Sequence, residues 1–231
     1  MRVIDRLLGL ACLTALSAPL GAAQAQEAVS LVGTWGSKVS TTADFTVPLV
    51  GATTANVTVA LRLDVREEGG QLVSDVELCQ LNTDSPSLTV DYTKVVQYLK
   101  TQIAIPAGAV APGTKLPLPD INITVGQDAA GLAVDTDGDT KPGVTLPSKA
   151  LGTLALDAYA GLKLSLKLDA TVQNATSITG TGLLNTVGTI FGSSFPLLTG
   201  GAINVSQKTP AAFTAKHFAG SVSCADLLPQ L

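Results

Sequence analysis

The sequence predicts an all-β protein, an antiparallel sandwich or barrel of about ten strands with one short helix. Two observations support this prediction. Several segments alternate apolar and polar residues with a period of two, which is typical of half-buried strands. Breaks that contain Gly, Asn or Pro separate these segments. Because buried parallel strands read as continuous apolar runs, the alternation favours antiparallel pairing.

Residues 57–65 and 162–170 show the alternation most clearly. In the first segment Val or Leu occupies every odd position, and in the second Leu alternates with Lys, Ser and Asp. Such apolar rows either fill a core or line a cavity that holds a lipid-like ligand. Gly69-Gly70 predicts a hairpin turn, followed by a strand that carries Cys79. Further strands are predicted over residues 37–47, 121–125, 131–135, 143–147, 153–159, 175–184, 202–206 and 212–218.

One segment departs from the alternation and predicts a helix over residues 91–102. Its larger apolar residues recur at helical spacing, Asp91 can cap the N-terminus, and Pro106 follows the end. These apolar residues are Tyr92, Val95, Val96, Leu99 and Ile103. The last residues, 223–231, can close the chain with one helical turn.

Residues 1–25 are predicted to be a signal peptide. Arg2 and Arg6 precede an apolar run that is too short and too interrupted to span a membrane, and Ala23-Gln24-Ala25 fits a cleavage site. Cys12 offers lipidation as an alternative, but Gly9 stands where a lipoprotein signal has a branched apolar residue. We therefore expect an exported protein that is periplasmic, outer-membrane-associated or extracellular in a bacterium.

The mature chain, residues 26–231, is predicted to form a single β-rich domain. Four prolines fall in residues 105–120, which read as an extended connection between two pseudo-halves, 28–104 and 121–231. Shifting the sequence by 105 residues superimposes the two clearest strands, as an internal duplication would. Amphipathic strands also resemble one another without a common origin, so both interpretations stay open.

Charge limits the classes of partner. Removing residues 1–25 takes away Arg2, Arg6 and Asp5, which leaves 12 basic and 17 acidic residues and a net charge of −5. No cluster of Lys or Arg remains in the sequence, so we expect no binding to nucleic acid. We also expect no transmembrane span in the mature chain. The partners that fit this composition are a hydrophobic ligand or a component of the cell envelope.

The mature chain contains two cysteines, Cys79 and Cys224. In an oxidising compartment, one disulfide between them is the simplest interpretation. It would close a loop of more than a hundred residues, for which chain entropy predicts ~4–5 kcal/mol of stabilisation. Two separate buried thiols are the alternative.

Residues 134–145, Val-Asp-Thr-Asp-Gly-Asp-Thr-Lys-Pro-Gly-Val-Thr, contain the strongest candidate for an ion site. Asp135, Asp137 and Asp139 occupy alternate positions, which can direct several carboxylate oxygens at one Ca²⁺. Asp128 is a weaker candidate for an additional ligand. Predicted strands flank the segment on both sides, so we expect it to form the tip of a hairpin.

This Asp loop is not an EF-hand. Thr140 stands where the EF-hand glycine would be, and Leu146 stands where the bidentate glutamate would be. Three carboxylates within one turn repel one another, and a cation would relieve the repulsion. Asp and Gly also suit a solvated polar turn without metal, and that alternative stays open. If Ca²⁺ binds, we expect a weak affinity of ~10⁻⁴–10⁻³ M.

The same stretch resembles the Asp-rich DxDGDG calcium turns of many secreted bacterial proteins and of thrombospondin type 3 modules. Its continuation, DGDxxPGVT, is similar to that of uncharacterised secreted bacterial β-rich proteins. The resemblance covers the loop alone, in a single copy. It implies weak calcium binding and carries no enzymatic activity.

The sequence offers little catalytic chemistry. His217 is the only histidine, and on a strand it shares a face with Phe213 and Ala215, which indicates a sheet residue rather than a general base. Glu67-Glu68 adjoins a Gly-Gly turn, which is typical of solvated acids. A Gly-x-Ser-x-Gly elbow, a cluster of zinc ligands and a phosphate-binding loop are all missing from the sequence.

These observations predict a non-catalytic binding or structural protein of the envelope or the secreted fraction, with a loop that Ca²⁺ stabilises weakly. The alternative is a carrier of a hydrophobic or lipid-like ligand in an apolar β cavity. A hydrolase ranks third. A carrier requires an open apolar cavity, a structural module requires a filled core, and a hydrolase requires polar side chains that converge in a cleft.

Overall fold

The computed structural model describes residues 28–48, 51–85, 87–106, 110–150, 153–207 and 209–231. The predicted signal peptide, with Cys12, lies outside these residues. The described residues form twelve strands in one antiparallel sheet, so the all-β prediction is confirmed, with twelve strands in place of about ten. No helix within these ranges has the length and apolar character needed to cross a membrane.

The secondary structure is almost entirely β. The strands are β1 (Gly33–Val47), β2 (Gly51–Glu68), β3 (Gln71–Asp84), β4 (Leu88–Val90), β5 (Lys100–Ile105), β6 (Lys115–Leu116), β7 (Ile121–Val125), β8 (Val144–Ala150), β9 (Leu154–Asn174), β10 (Ser177–Ser193), β11 (Ala202–Gln207) and β12 (Ala211–Phe218). One short α-helix, α1 (Cys224–Leu227), follows β12, in agreement with the helical turn expected at the end of the chain.

Long antiparallel neighbours build the sheet. β1, β2 and β3 pair in sequence order, and β9 pairs with β10. β11 and β12 lie one after the other between β10 and β1, and they join the two groups into one sheet. β6, β7 and β8 share the other edge of β9. β4 pairs with β8 and β5 pairs with β3, so these two short strands end the strand order.

The two ends of the sheet approach each other. β3 contacts β4, and β5 contacts β7. The backbone N–H of Asp91 donates to the carbonyl of Pro147 at 2.8 Å, which ties the segment after β4 to β8. The sheet therefore curls around a single interior in a barrel-like manner, and its inward side chains form one continuous hydrophobic cluster.

The predicted alternation accounts for the buried face of the long strands. In β9, the Leu residues of the row from Leu162 to Leu168 are all buried, and the Lys residues between them are exposed. The prediction for residues 121–125 matches β7 at both ends, and residues 154–159 of the predicted strand 153–159 are part of the same strand as 162–170. The strand predicted over 131–135 is wrong, because only an isolated bridge between Gln127 and Ala133 forms there.

The helix predicted over residues 91–102 is also wrong. A turn and the single 3-10 turn Val96–Tyr98 precede β5, which begins at Lys100. Asp91 caps the turn that precedes the 3-10 turn, because its Oδ1 accepts the N–H of Thr93 at 2.9 Å. Val95 and Leu99 are both buried, but Val95 lies in a turn and Leu99 directly precedes β5. β5 forms its hydrogen bonds with the edge of β3 that β2 leaves open. A strand conformation suits the β-branched residues of this segment.

Cys79 and Cys224 form the predicted disulfide, with Cα atoms 5.2 Å apart. The register of β2 against β3 shifts between Ala60 and Leu61, and this bulge leaves Cys79 without a partner on β2. Cys224 is the first residue of α1. The disulfide therefore holds the C-terminal helix against β3.

Candidate functional site

An apolar cavity of about 300 Å³ lies inside the sheet. All strands from β1 to β4 and from β8 to β11 contribute to its wall. It is about twice as large as an engineered apolar cavity of ~150 Å³ that binds benzene. Its volume reaches the lower end of the range of ~300–1,000 Å³ that is common for ligand pockets. The space therefore suits one small apolar molecule or one alkyl chain.

The cavity wall carries no charged side chain among the residues that the structure describes. The wall is otherwise aliphatic or aromatic, and its four polar members are Thr83, Tyr92, Ser148 and Thr186. The Ser148 hydroxyl donates to the carbonyl of Leu146 at 3.0 Å, so this group has a partner within its own strand. A wall of this composition favours the uncharged part of a ligand, because an ion would lose its hydration without compensation.

Exposed apolar side chains mark the mouth of the cavity. Leu197, in the 3-10 turn after β10, is 72% exposed, and Leu154, at the start of β9, is 41% exposed. Both line the cavity, together with the half-buried residues Pro48 and Leu88. Exposed apolar groups around an opening are typical of a surface that meets a hydrophobic ligand.

The alternating rows of the sequence fill the core in one region and line the cavity in another. Val57, Leu162 and Leu164 line the cavity. Further along the same strands, Leu61 and Leu166 are 1% exposed and lie in the packed core. Beyond them, near Trp35, a second void has a volume of about 40 Å³. The large cavity therefore belongs to one part of the interior rather than to loose packing throughout.

Two hydroxyl groups lie together in the apolar wall. Thr83 is 6% exposed, and its Oγ1 makes no hydrogen bond with any described residue. The Tyr92 hydroxyl interacts with Thr83, although the pair lacks the geometry of a regular hydrogen bond. Tyr92 as a whole is half-buried. Burial of its hydroxyl raises the pKa of Tyr92 to about 12, and the interaction with Thr83 lowers that pKa by a smaller amount. Tyr92 therefore stays protonated and uncharged at neutral pH.

The Asp loop does not form the hairpin tip that we predicted. β7 and β8 do not pair with each other, because both pair with the same edge of β9, one after the other. Residues 126–143 leave this edge at the end of β7 and return to it at the start of β8. They form a compact excursion from the edge of the sheet.

Two glycines close the base of the Asp loop. Gly126 and Gly143 have φ values of 71° and 100°, and a Cβ atom at either would lie 2.2 Å or 2.5 Å from the carbonyl oxygen of Ala160. Backbone hydrogen bonds cross the base, from Val134 N–H to Gly126 O at 3.0 Å and from Thr136 N–H to Gly143 O at 3.1 Å. The close approach to β9 therefore requires glycine at both positions.

The three carboxylates of the Asp loop lie close together. Asp135, Asp137 and Asp139 each offer an oxygen within 4.8 Å of the others. Asp128 does not belong to this cluster, and its Oδ1 accepts the N–H of Leu132 at 2.8 Å. The loop thus concentrates three negative charges near its surface, with Asp137 the least exposed of the three.

Donors of the loop itself satisfy most of these carboxylate oxygens. Both oxygens of Asp135 and of Asp139 accept hydrogen bonds, and so does Oδ2 of Asp137; the donors are the N–H groups of Gly138, Thr140, Lys141 and Thr145 and the hydroxyl of Thr145. Oδ1 of Asp137 is buried and has no partner among the described residues. The Thr145 hydroxyl, aided by the N–H and the charge of Lys141, holds the pKa of Asp139 below its ordinary value of 3.8. These donors relieve part of the repulsion that a cation would otherwise have to offset.

A polar groove of about 520 Å³ runs beside β8 and the start of β9. Its ionisable members are Asp91, Lys149 and Asp157. Asp91 accepts both the N–H and the hydroxyl of Thr93, which hold its pKa below the ordinary value of 3.8. Ser194 Oγ accepts the N–H of Asp157 at 2.9 Å. These contacts hold the turn before β5 and the segment after β10 in place.

His217 and the paired acids of the hydrolase hypothesis lie elsewhere. The His217 ring packs edge-on against Trp35, with ring centroids 5.0 Å apart, in the ladder between β1 and β12. Glu68 ends β2 and pairs with Arg66 at 3.3 Å. His217 therefore lies in a ring contact within the sheet, and Glu68 lies in an exposed ion pair at the end of β2.

Comparison with protein-family models, with curated proteins and with solved structures finds no match to this chain. The interpretation of its function rests on its own geometry.

Sequence reasoning missed the hydroxyl pair, Thr83 and Tyr92, and the two residues at the mouth, Leu154 and Leu197. Thr83 carries no local signal, since its polarity matters only because the facing strands leave a cavity there.

Proposed function

We propose that this protein is a non-catalytic carrier of one small hydrophobic, lipid-like molecule. The observation that carries the proposal is the cavity of about 300 Å³, whose described wall has no charged side chain. A structural module would fill its interior, since protein cores pack as densely as organic crystals. An apolar ligand would supply the dispersion contacts that side chains around a void lack. The predicted export is compatible with a carrier that works in the bacterial envelope.

A matched pair of variants tests the proposal. Ala158 lines the cavity and is 7% exposed, whereas Ala155 lies on the opposite face of the same strand and is exposed. Ala158→Phe fills the cavity with a ring, and Ala155→Phe adds the same ring outside it. The probe is the apolar dye N-phenylnaphthylamine, whose fluorescence rises in an apolar site.

We expect the wild-type protein and Ala155→Phe to bind the dye saturably, with one site per chain. Ala158→Phe should lose at least about tenfold in affinity while its melting temperature stays equal to that of the wild type or rises, because the ring fills empty apolar space. Equal binding by the two variants would place the dye elsewhere and reject the cavity as the site.

We also propose that the Asp loop binds Ca²⁺ weakly and that the ion stabilises the fold without taking part in chemistry. The buried and unpartnered Oδ1 of Asp137, beside two further carboxylates, supports this second proposal. Millimolar Ca²⁺ should raise the melting temperature of the metal-stripped protein, and Asp137→Ala should abolish the rise. Asp128→Ala is the matched control, because Asp128 lies outside the cluster. A melting temperature that does not respond to Ca²⁺ would leave the loop as a polar turn.

A further inference from the structure

We infer that the ligand carries one uncharged hydroxyl or carbonyl group, which binds to the hydroxyls of Thr83 and Tyr92. This inference rests on the proposed carrier function and names the class of ligand: an alkyl or terpenoid body with a single neutral oxygen group, such as a fatty alcohol or a fatty-acid ester. Pockets of this kind use a few polar groups in an apolar wall to orient the ligand.

The state of Thr83 carries the argument. Its side chain is 6% exposed and its Oγ1 has no hydrogen-bond partner among the described residues, although it lines the cavity. Buried hydroxyls in native proteins almost always have a partner, and an unpartnered group calls for an explanation such as a missing ligand. A ligand oxygen in the cavity would supply that partner.

Tyr92 adds a second hydroxyl at the same place. It lines the cavity and interacts with Thr83, and each of the two hydroxyls can both donate and accept. Together they can bind a carbonyl oxygen by donation, or an alcohol by donation and acceptance. The other polar wall residue with a defined bond, Ser148, already donates to Leu146 O.

The absence of charge in the described wall excludes an ionised head group from this position. Neither Lys nor Arg lines the described cavity, so a carboxylate or phosphate placed there would lose its hydration and gain no cation. The wall should therefore bind an alcohol or an ester in preference to the fatty-acid anion of equal length.

Displacement of N-phenylnaphthylamine by compounds with one common chain length tests this selectivity. The compounds are dodecanol, methyl laurate, laurate and dodecane, of which dodecane has the same body without the oxygen. The variants are Thr83→Val and Tyr92→Phe, which remove each hydroxyl and keep the shape of the side chain. The melting temperature is measured for each variant, so that affinities are compared only between variants that fold.

Wild-type protein should bind dodecanol and methyl laurate more tightly than dodecane and laurate. The double variant should lose roughly three- to tenfold in affinity for dodecanol and keep its affinity for dodecane and for the dye. If the variants bind dodecanol as tightly as the wild type, the inference is wrong while the carrier function stands. If the wild type binds neither the dye nor any of the four compounds, the carrier function fails and the inference falls with it.

Discussion

Leu227 of the C-terminal helix packs directly over Gly36 of β1. A Cβ atom at Gly36 would lie 2.6 Å from Leu227 Cδ1 and 2.9 Å from Phe218 Cε2. Leu227 is completely buried, yet it does not belong to the main hydrophobic cluster. α1 and Phe218 thus form a second, smaller apolar layer on the outer face of the sheet, which the Cys79–Cys224 disulfide secures.

The contact between Leu227 and Gly36 predicts the effect of a single methyl group. Gly36→Ala should lower the free energy of unfolding by ~1–3 kcal/mol, because the helix must move away from the sheet. For a chain of this size, the melting temperature falls by about 2–4 °C per kcal/mol. Gly182→Ala is the control, since the nearest atom to its Cβ is Leu168 Cδ2 at 3.2 Å. Equal losses in the two variants would show that the helix does not require glycine at position 36.

The disulfide predicts a larger loss. Cys79 and Cys224 are separated by 145 residues, and removal of a bridge over so long a loop typically costs ~2–5 kcal/mol. The double variant Cys79→Ser with Cys224→Ser should therefore melt roughly 10 °C below the wild type. Thermal unfolding with and without a reductant measures the same difference in the wild-type protein. Two free thiols in unfolded, unreduced protein would contradict the bridge.

The left-handed backbone at Thr140 predicts that glycine at this position would raise the stability of the protein. Thr140 is the only non-glycine residue with positive φ among those described, at 69°, and it occupies the loop position where an EF-hand has glycine. Left-handed backbone costs an L-residue ~1–2 kcal/mol, so Thr140→Gly should raise the free energy of unfolding by a net amount of about 1 kcal/mol. The N–H bond to Asp135 remains. The control is Thr181→Gly, at an exposed position of β10, which should lower the free energy of unfolding by ~0.5–1 kcal/mol. A loss in both variants would argue against strain at Thr140.

Asp139 predicts a dependence of stability on pH. Its pKa in the folded protein lies below the ordinary value of 3.8, chiefly because of the Thr145 hydroxyl. The unfolded chain therefore binds the proton more readily than the folded protein does. The stabilisation that ionised Asp139 provides is complete above the pKa that Asp139 has in the unfolded chain. It is lost as the pH falls through the lower pKa that Asp139 has in the folded protein. The melting temperature of the wild type should exceed that of Asp139→Asn at neutral pH, and the difference should shrink in acid. A difference that is constant down to about pH 2 would contradict this assignment.

The sequence was sufficient for those parts of the fold that depend on one strand at a time. The alternation predicted which faces of β2 and β9 are buried, and it located β7 at both ends. Cysteine usage predicted the disulfide. These features need only the two-residue period of a strand and, for the disulfide, the expectation of an oxidising compartment.

The features that the sequence did not predict depend on neighbouring strands that are remote in sequence. The spacing of Val95 and Leu99 fits a helix equally well, and only the free edge of β3 makes a strand of the segment that follows. Val57 and Leu61 belong to one apolar row, but the distance to the facing strands decides that one lines a cavity and the other fills the core. A pattern of residue types does not contain that distance, and so the cavity had to be seen in three dimensions.

Mass spectrometry of an organic extract tests the carrier function most directly. The wild type and Ala158→Phe should be purified in parallel, without detergent, from a bacterium that exports them. We expect one hydrophobic compound with a neutral oxygen group in near-equal molar ratio to the wild-type chain, and much less of it with the variant. A carrier function would be contradicted if the same extracted compounds accompanied both proteins in equal amounts, or if none accompanied the wild type and the ligand-free chain bound no apolar probe.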